Sequence, residues 1–413
     1  MNTKTVAFVV AGAAILAAAA LVVSRSGPDG AAQNPPGPMF PALADRADSV
    51  ASMVVESSSG RATIQRAGSN WTLSEKGGYP VKADRVREVV VGLAQLRSIE
   101  PKTSRPDRYA EIGVEEPSPP DTVASEAPAT PPAAPRGARV TLRDPSGATI
   151  LSVLVGTQRM GNPPATFVRT DGEATSWLAE GRVEVPKDLL GWIDTQVVNL
   201  VRDRVRSATI TPGRADGGSL VIRRERREDT NFTIQDLPPG KAPKNAWDVD
   251  QPATVFSWLN FEDVRPAAEI ANRSDSAESS SYRVETFDGL VIEATVFQVG
   301  GRQWATIEAS SLDVPEAATT AEGSDTPGGE ADKARDARTE AALLNDRHAG
   351  WAYLIPEHKA LSMVARLESL VIEAPERAHD GPAGPMDPSG EVRGGVPGSD
   401  ETGDEDAPEV GEG

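Results

Sequence analysis

Apolar positions at three- and four-residue spacing stand out between Tyr79 and Pro101. There Val86, Val89, Val90, Leu93 and Leu96 share one side of a predicted helix, and Arg85, Arg87, Glu88 and Gln95 take the other. Asp84 is placed to cap this helix and Pro101 to end it. Ahead of it, Val50 to Val55, Ala62 to Ile64 and Trp71-Thr72-Leu73 read as short strands. Ser57-Ser58-Ser59-Gly60 and Gly68-Ser69-Asn70 supply the turns between them. Beyond the helix, Val140 to Leu142, Ile150 to Val155 and Thr166 to Arg169 resume the strand pattern, with Asp144-Pro145-Ser146-Gly147 as a hairpin turn. A second helix is predicted to open at Val185 and run toward Trp192 and Leu200.

The same series then returns. Asn70-Trp71-Thr72-Leu73 is echoed by Asn231-Phe232-Thr233-Ile234, and the helix by Trp247 to Pro266, where Val255, Trp258, Leu259 and Phe261 take the apolar role. Leu93, Leu96, Ile99 and Pro101 align at one offset with Trp258, Phe261, Val264 and Pro266. The turn at Gly147 returns at Phe287-Asp288-Gly289-Leu290, and Ser176-Trp177-Leu178 at Gly350-Trp351-Ala352. Echoes kept in order predict an internal repeat. The fold class expected is α+β: an N-terminal transmembrane helix, then two tandem-duplicated domains of antiparallel strands with packed helices.

The apolar run Val6 to Val23 would be about 27 Å long as a helix, close to the hydrocarbon thickness of a bilayer. It exceeds the usual length of a signal-peptide core, so an uncut anchor is preferred over a cleaved leader. Lys4 favours a cytoplasmic N-terminus and an extracytoplasmic, periplasmic body at the inner membrane. The expected organisation is a short start and anchor over 1–23, a Pro/Gly linker over 24–46 and a first repeat over 47–200 with a proline-rich insertion at 117–136. A second repeat follows over 201–376 with an acidic insertion at 310–346, and a disordered acidic tail over 377–413. A solvent-exposed helix is predicted over Ala331 to Leu344, within the second insertion.

Composition narrows the chemistry. The formal net charge of -19 over 413 residues disfavours nucleic acid and anionic membrane surfaces as partners. From Ala378 to Gly413 ten acidic residues face one arginine. The cysteine count is zero, which removes disulfides and thiolate chemistry. Of three histidines, His348 and His358 flank a predicted strand at Trp351 to Pro356 and read as surface or capping residues; His379 lies in the tail. No Gly-x-Ser-x-Gly elbow, Walker loop or dinucleotide fingerprint occurs. The run Arg223-Arg224-Glu225-Arg226-Arg227-Glu228-Asp229 reads as a charged hairpin tip whose signs cancel. Asn70 and Asn231, though in Asn-x-Thr triplets, read as turn residues; Asn272-Arg273-Ser274 has the same pattern. Trp71, Trp177, Trp192, Trp247, Trp258, Trp304 and Trp351 read as core residues rather than a carbohydrate platform. No catalytic, cofactor-binding or metal-ligating residue is nominated, no cofactor is expected, and neither nucleic acid nor nucleotide is an expected partner.

Trp71, Tyr79-Pro80-Val81, the helix ending in Leu93-Ala94-Gln95-Leu96, Tyr109 to Val114 and Pro117 carry a family resemblance. Val140-Thr141-Leu142, Gly147, Val155-Gly156 and Phe167-Val168-Arg169 continue it in order. The chain resembles the bacterial membrane-anchored family called domain of unknown function 4340, over Ala47 to about Leu200 and more loosely over the second copy. The proline-rich segment between Pro117 and Val140 departs from the pattern. The resemblance implies a single-span protein with an extracytoplasmic α+β body, often encoded beside an ABC-2-type permease and a gliding-type auxiliary transporter subunit; it brings no catalytic residues. The expected function is a membrane-anchored interaction protein, an accessory subunit of an ABC-type or gliding-type transport system partnered with an integral membrane transporter complex. The alternative is a cell-envelope enzyme or glycan-binding module.

Overall fold

Strand-forming runs of alternating burial build most of the molecule. The computed structural model describes residues 37–117, 137–213, 218–272, 279–312 and 330–374. After a short helix α1 (Pro41–Ala44) come β1 (Ser52–Ser57), β2 (Gly60–Ala67), β3 (Asn70–Leu73) and β4 (Tyr79–Pro80). Helix α2 (Ala83–Gln95), β5 (Arg97–Pro101) and α3 (Tyr109–Ile112) follow, then β6 (Ala138–Arg143), β7 (Thr149–Arg159), β8 (Ala165–Thr170) and β9 (Trp177–Glu180). These nine strands pair antiparallel in the order β4-β3-β2-β1-β6-β7-β8-β9-β5.

The next strands are β10 (Gln196–Val198), β11 (Val205–Thr211), β12 (Leu220–Arg223), β13 (Thr233–Ile234) and β14 (Lys241–Pro243). Helix α4 (Ala246–Ala253), β15 (Leu259–Asn260), β16 (Asp263–Pro266) and α5 (Ala267–Ala271) lead to β17 (Ser280–Thr286), β18 (Leu290–Val299) and β19 (Arg302–Ser311). Then come α6 (Glu330–His348), β20 (Trp351–Leu354), α7 (Glu357–Met363) and α8 (Leu367–Leu370). The second sheet has the order β13-β12-β11-β17-β18-β19-β20-β16, antiparallel throughout. Eight strands of the first sheet, β3-β2-β1-β6-β7-β8-β9-β5, follow the same order. Pro101 faces Trp177 across β5–β9, and Pro266 faces Trp351 across β16–β20, so the two edges share a register. The fold is mixed α+β, antiparallel and sparing in helix.

By its contacts the chain divides into Met1–Ile372 and Glu373–Gly413. Within the first unit one apolar cluster runs through both sheets, joining Met53, Ile64 and Val140 to Ile222, Ile292 and Ile307. Helix α2 buries Val86, Val89, Val90 and Leu93 against it, worth roughly 1.5–3 kcal/mol each before entropy is counted. The opposite faces carry smaller patches: Tyr109 and Val114 over Leu154, and Ile270 with Phe297, Trp304, Ala352 and Leu354.

Several local expectations are corrected. Asp84 lies inside the first turn of α2, paired with Arg87, and the N-cap is Lys82. The helix stops at Gln95, and Pro101 ends β5 instead. The helix expected from Val185 is only a 3-10 turn, Leu190–Trp192, because Pro186 and Gly191 interrupt it and Trp192 inserts fully into the core. Strand β19 continues to Ser311, and α6, expected to be solvent-exposed, buries Ala337 and Ala341 and so is not solvated all round. Among the described residues no helix is long and apolar enough to cross a membrane; the run Val6 to Val23, the insertion core at 118–136 and the tail from 375 lie outside them.

Candidate functional site

Three places gather polar or exposed aromatic groups. The first is the seam between the sheets. A 3-10 turn, Ser74–Lys76, ends in Gly77 at φ +67°, and this tight corner presents Lys76 and Tyr79 to β16 and β20. Lys76 Nζ donates to Asp263 Oδ1, with both side chains largely buried. The Tyr79 ring meets Trp351 at 4.9 Å, Phe261 at 5.8 Å and Tyr353 at 6.4 Å, all edge-on, and Phe261 stacks on Tyr353 at 5.2 Å. Behind them His348 is only 2% exposed, with Nδ1 at 2.8 Å from the Tyr353 hydroxyl. Burial, aided by the Arg347 charge, pushes the His348 pKa down to about 4, against a smaller opposing pull from the Val197 backbone. Burial likewise raises Tyr79 and Tyr353, so all three groups stay uncharged near neutrality. Arg347 Nη2 donates to Asp194 Oδ2 at 2.8 Å from the rim. A neutral tyrosine–histidine pair packed among aromatics is suited to fixing an interface; on the other side His348 and Trp351 line a cleft of about 460 Å3 together with Glu308 and Asn345.

The second is a cleft of about 720 Å3 lined by Pro106, Tyr109, Glu115, Glu116, Arg169 and Asp171. Strand β8 buries Arg169 beneath the 109–116 segment. Its Nε donates to the Val114 carbonyl at 3.2 Å, Nη1 to that of Glu173 at 3.0 Å and Nη2 to Glu116 Oε1 at 2.8 Å. The guanidinium also lies 4.5 Å from the Tyr109 ring centroid, and the Tyr109 hydroxyl donates to the Ala174 carbonyl. Each nitrogen of Arg169 thus makes one bond that ties the 109–116 segment and the Glu173 turn to β8, and the carboxylates of the wall, Glu116 and Asp171, are in turn paired with Arg139.

The third is the corner after α4. Pro252 lies in the last turn of α4 and the helix stops at Ala253. The chain then turns outward through Trp258, which has φ +52° and is 69% exposed. Its backbone is clamped: Trp258 N donates to Asn199 Oδ1 at 3.3 Å and its carbonyl accepts from Asn260 Nδ2 at 3.3 Å. The preceding Ser257 carbonyl accepts from Lys359 Nζ at 3.0 Å, and Ser257 Oγ donates to the Leu200 carbonyl at 2.8 Å.

These positions revise several readings. His348 is buried, not a surface residue, because it closes the aromatic seam; His358 is exposed on α7, and His379 lies outside the described residues. Arg224 is 2% exposed rather than part of a solvated tip. Its nitrogens donate to the carbonyls of Arg202, Val205, Arg227 and Asp229, and its guanidinium sits over Phe232 and Phe287. Its neighbours do cancel locally, as Arg223–Glu225 and Arg226–Asp229 pairs. Trp71, Trp177, Trp192, Trp304 and Trp351 pack at least partly, but Trp247 and Trp258 are exposed. Leu93 and Trp258 are therefore not equivalent in environment, although Leu96 and Phe261 are both buried. The only prior signal for this difference was Pro252. Among the described residues no group of three or more histidine or carboxylate side chains is arranged to hold a metal.

A family model described as Domain of unknown function (DUF4340) matches residues 71–284, just over half of the chain. The chain belongs to the DUF4340 family. The match begins in β3 and ends in β17, so in this DUF4340 protein it crosses from the first sheet into the second and includes α2, the Arg169 cleft and the Trp258 corner. No curated protein matches the chain.

Proposed function

We propose that this protein is a single-span, membrane-anchored interaction subunit whose two halves arose by tandem duplication and whose body docks, outside the cytoplasm, on an integral membrane transport complex. The observation that carries the reading is the locked pair of sheets. Two units of one strand order are joined through Lys76–Asp263 and the Tyr79–Trp351–Tyr353 cluster, giving one body with two related surfaces. The apolar run Val6 to Val23 and the prolines that follow it would tether such a body near the bilayer, where raised effective concentration makes modest contacts sufficient. A glycan-binding module is the second reading, favoured by the exposed Trp247 and Trp258.

The test is fractionation with cross-linking in intact cells. The full-length chain sediments with membranes and resists carbonate extraction, and amine cross-linking recovers an integral membrane protein whether or not residues 378–413 are present. A soluble mature form beginning near Ser24, or recovery of no membrane protein, would defeat the proposal.

A further inference from the structure

The two halves differ where their last strands meet. In the first half β8 and β9 pair over four residues, and Val168 faces Trp177, the tryptophan opposite Pro101. In the second half β19 and β20 pair only at Trp304–Leu354 and Ala305–Tyr353. Carried on at the same register, the ladder would set Ile307 opposite Trp351, the tryptophan opposite Pro266, but the strands part before it. The end of α6 stands beside the gap, whereas β8 passes to β9 through residues 171–176 alone. The cleft of about 460 Å3 that results is lined by Thr306, Ile307, Glu308, Asn345, His348 and Trp351.

Inside this cleft β19 presents a main-chain edge with one residue unmet. Ile355 N donates to the Gln303 carbonyl at 3.0 Å, so Gln303 turns toward β20. At Ala309 the Asn345 amide stands in for a strand: Ala309 N donates to Asn345 Oδ1 at 2.7 Å, and the Ala309 carbonyl accepts from Nδ2 at 2.8 Å. By strand alternation Ile307 turns its N–H and C=O to the same edge, between the Ala305–Tyr353 pair and the Asn345 amide. Among the described residues no strand pairs with it there. Main-chain groups left without partners favour whatever can supply them. Asn345 shows, one step away, what fits: a planar amide that offers an acceptor and a donor side by side. Glu308 is exposed on the other face of the strand and lies directly opposite Glu293. Like charges so placed repel. Glu293 has Arg283 at 3.8 Å, whereas no lysine or arginine among the described residues pairs with Glu308.

We infer that the gap between β19 and β20 takes an extended segment of a partner protein, one residue of which pairs its N–H and C=O with Ile307 while a neighbouring lysine or arginine meets Glu308. The inference rests on the interaction-subunit reading. It is strand addition to an open edge, in which main-chain bonds give affinity and the adjoining side chains give selectivity. Register supports the basic neighbour, because the residue next to the one paired with Ile307 comes opposite Glu308 on the same face. Charge argues against the chain's own segments as occupant. Residues 313–329 carry four acidic and no basic residues, and 378–413 carry ten acidic residues and one arginine.

Residue-resolved hydrogen exchange on the full-length chain in detergent tests the open edge first. The Ile307 amide should exchange at least tenfold faster than those of Ala305 and Ala309; equal rates would show the edge already covered and overturn the inference. A photoreactive benzoylphenylalanine at Ala349, exposed at the mouth of the cleft, then reports the occupant in intact cells. The expected adduct is with one integral membrane protein, at a segment containing lysine or arginine. Glu308→Lys lowers its yield at least tenfold and Glu308→Gln, which keeps the shape, at least threefold, both with the melting temperature unchanged or raised. A synthetic peptide of the captured segment slows exchange at Ile307 at least tenfold, and the same peptide with its basic residue changed to glutamate does not. A yield indifferent to both Glu308 variants, a fall of several degrees in both, or a captured peptide that leaves Ile307 exchange unchanged overturns the inference. So does an adduct with phospholipid, with a second copy, or with residues 313–329 or 378–413 of the same chain. No adduct at 349, with amine cross-linking still capturing a membrane protein, sinks the strand addition but leaves the interaction-subunit reading standing. Loss of both signals defeats both.

Discussion

Gly77→Ala tests whether the two sheets are joined as described. Gly77 has φ +67°, a region in which a side chain costs about 1–2 kcal/mol. A Cβ built there would also lie 2.5 Å from Pro266 Cγ and 2.8 Å from its Cδ, on a ring that cannot rotate away. Accommodating it requires the Ser74–Lys76 turn or β16 to shift, an overpacking cost of about 1–3 kcal/mol. The sum is about 2–5 kcal/mol, read as a lower urea midpoint at unchanged slope. Gly289→Ala separates the two contributions, since Gly289 has φ +88° with open space around it and should lose only the backbone part. In a double-mutant cycle Pro266→Ala removes the ring atoms and should recover about 1–3 kcal/mol of the Gly77→Ala loss. Equal losses at Gly77 and Gly289, with no coupling to Pro266, would show that the turn does not meet β16 and would undo the seam.

The seam should also be acid-labile. His348 prefers to be neutral in the fold, with a pKa near 4 against 6.5 unfolded, so its contribution is fully present above pH 6.5 and is lost as pH falls toward about 4. That gap corresponds to about 3 kcal/mol; denaturant midpoints for His348→Gln should vary less with pH over this window, and an unchanged profile would count against the buried ring. Lys76→Met alone should cost about 1–2 kcal/mol, since Asp263 loses its buried partner and keeps only Arg265 at 3.5 Å and the Val264 N–H, while Lys76→Met with Asp263→Leu should restore part of it; a double variant no better than the single would contradict the pairing. Arg224→Lys should lose about 2 kcal/mol or more, since an ammonium cannot span four carbonyls and two rings, whereas Arg226→Lys on the exposed side should lose under about 0.5 kcal/mol by thermal melting. Equal effects would contradict the burial of Arg224.

Strand positions were legible because a two-residue period and its turns are local: Met53 and Ile64, Gly147 and Gly289 fall where alternation and turn chemistry place them. The matched edges were legible too, through Pro101 with Trp177 and Pro266 with Trp351. What could not be read depends on distant partners. Arg224 looked solvated because carbonyl cages leave no periodic trace, and His348 looked exposed because its ring folds back onto Tyr353 across the turn at Gly350, a contact that no periodicity announces. Helix α6 looked like an inserted surface helix because its buried stripe is made of alanines, Ala337 and Ala341, which carry little hydrophobic signal.

The contrast between α2 and α4 follows from these same limits. An apolar pattern at helical spacing says that side chains could be buried together, but burial also requires the helix to persist through the last member of the pattern. In α2 nothing interrupts the run before Gln95, so Leu93 reaches the core. In α4 Pro252 denies one backbone N–H, the helix ends at Ala253, and the remaining apolar residues are sorted individually. Val255, Phe256, Leu259 and Phe261 still find the core through the turn and β15, while Trp258 alone is turned out by its left-handed backbone. A chain selected only to fill this core could have placed glycine or asparagine at that corner at lower cost. A tryptophan in this left-handed, exposed position departs from local preference, and it does so in one half of a body whose two sheets share the order of eight strands.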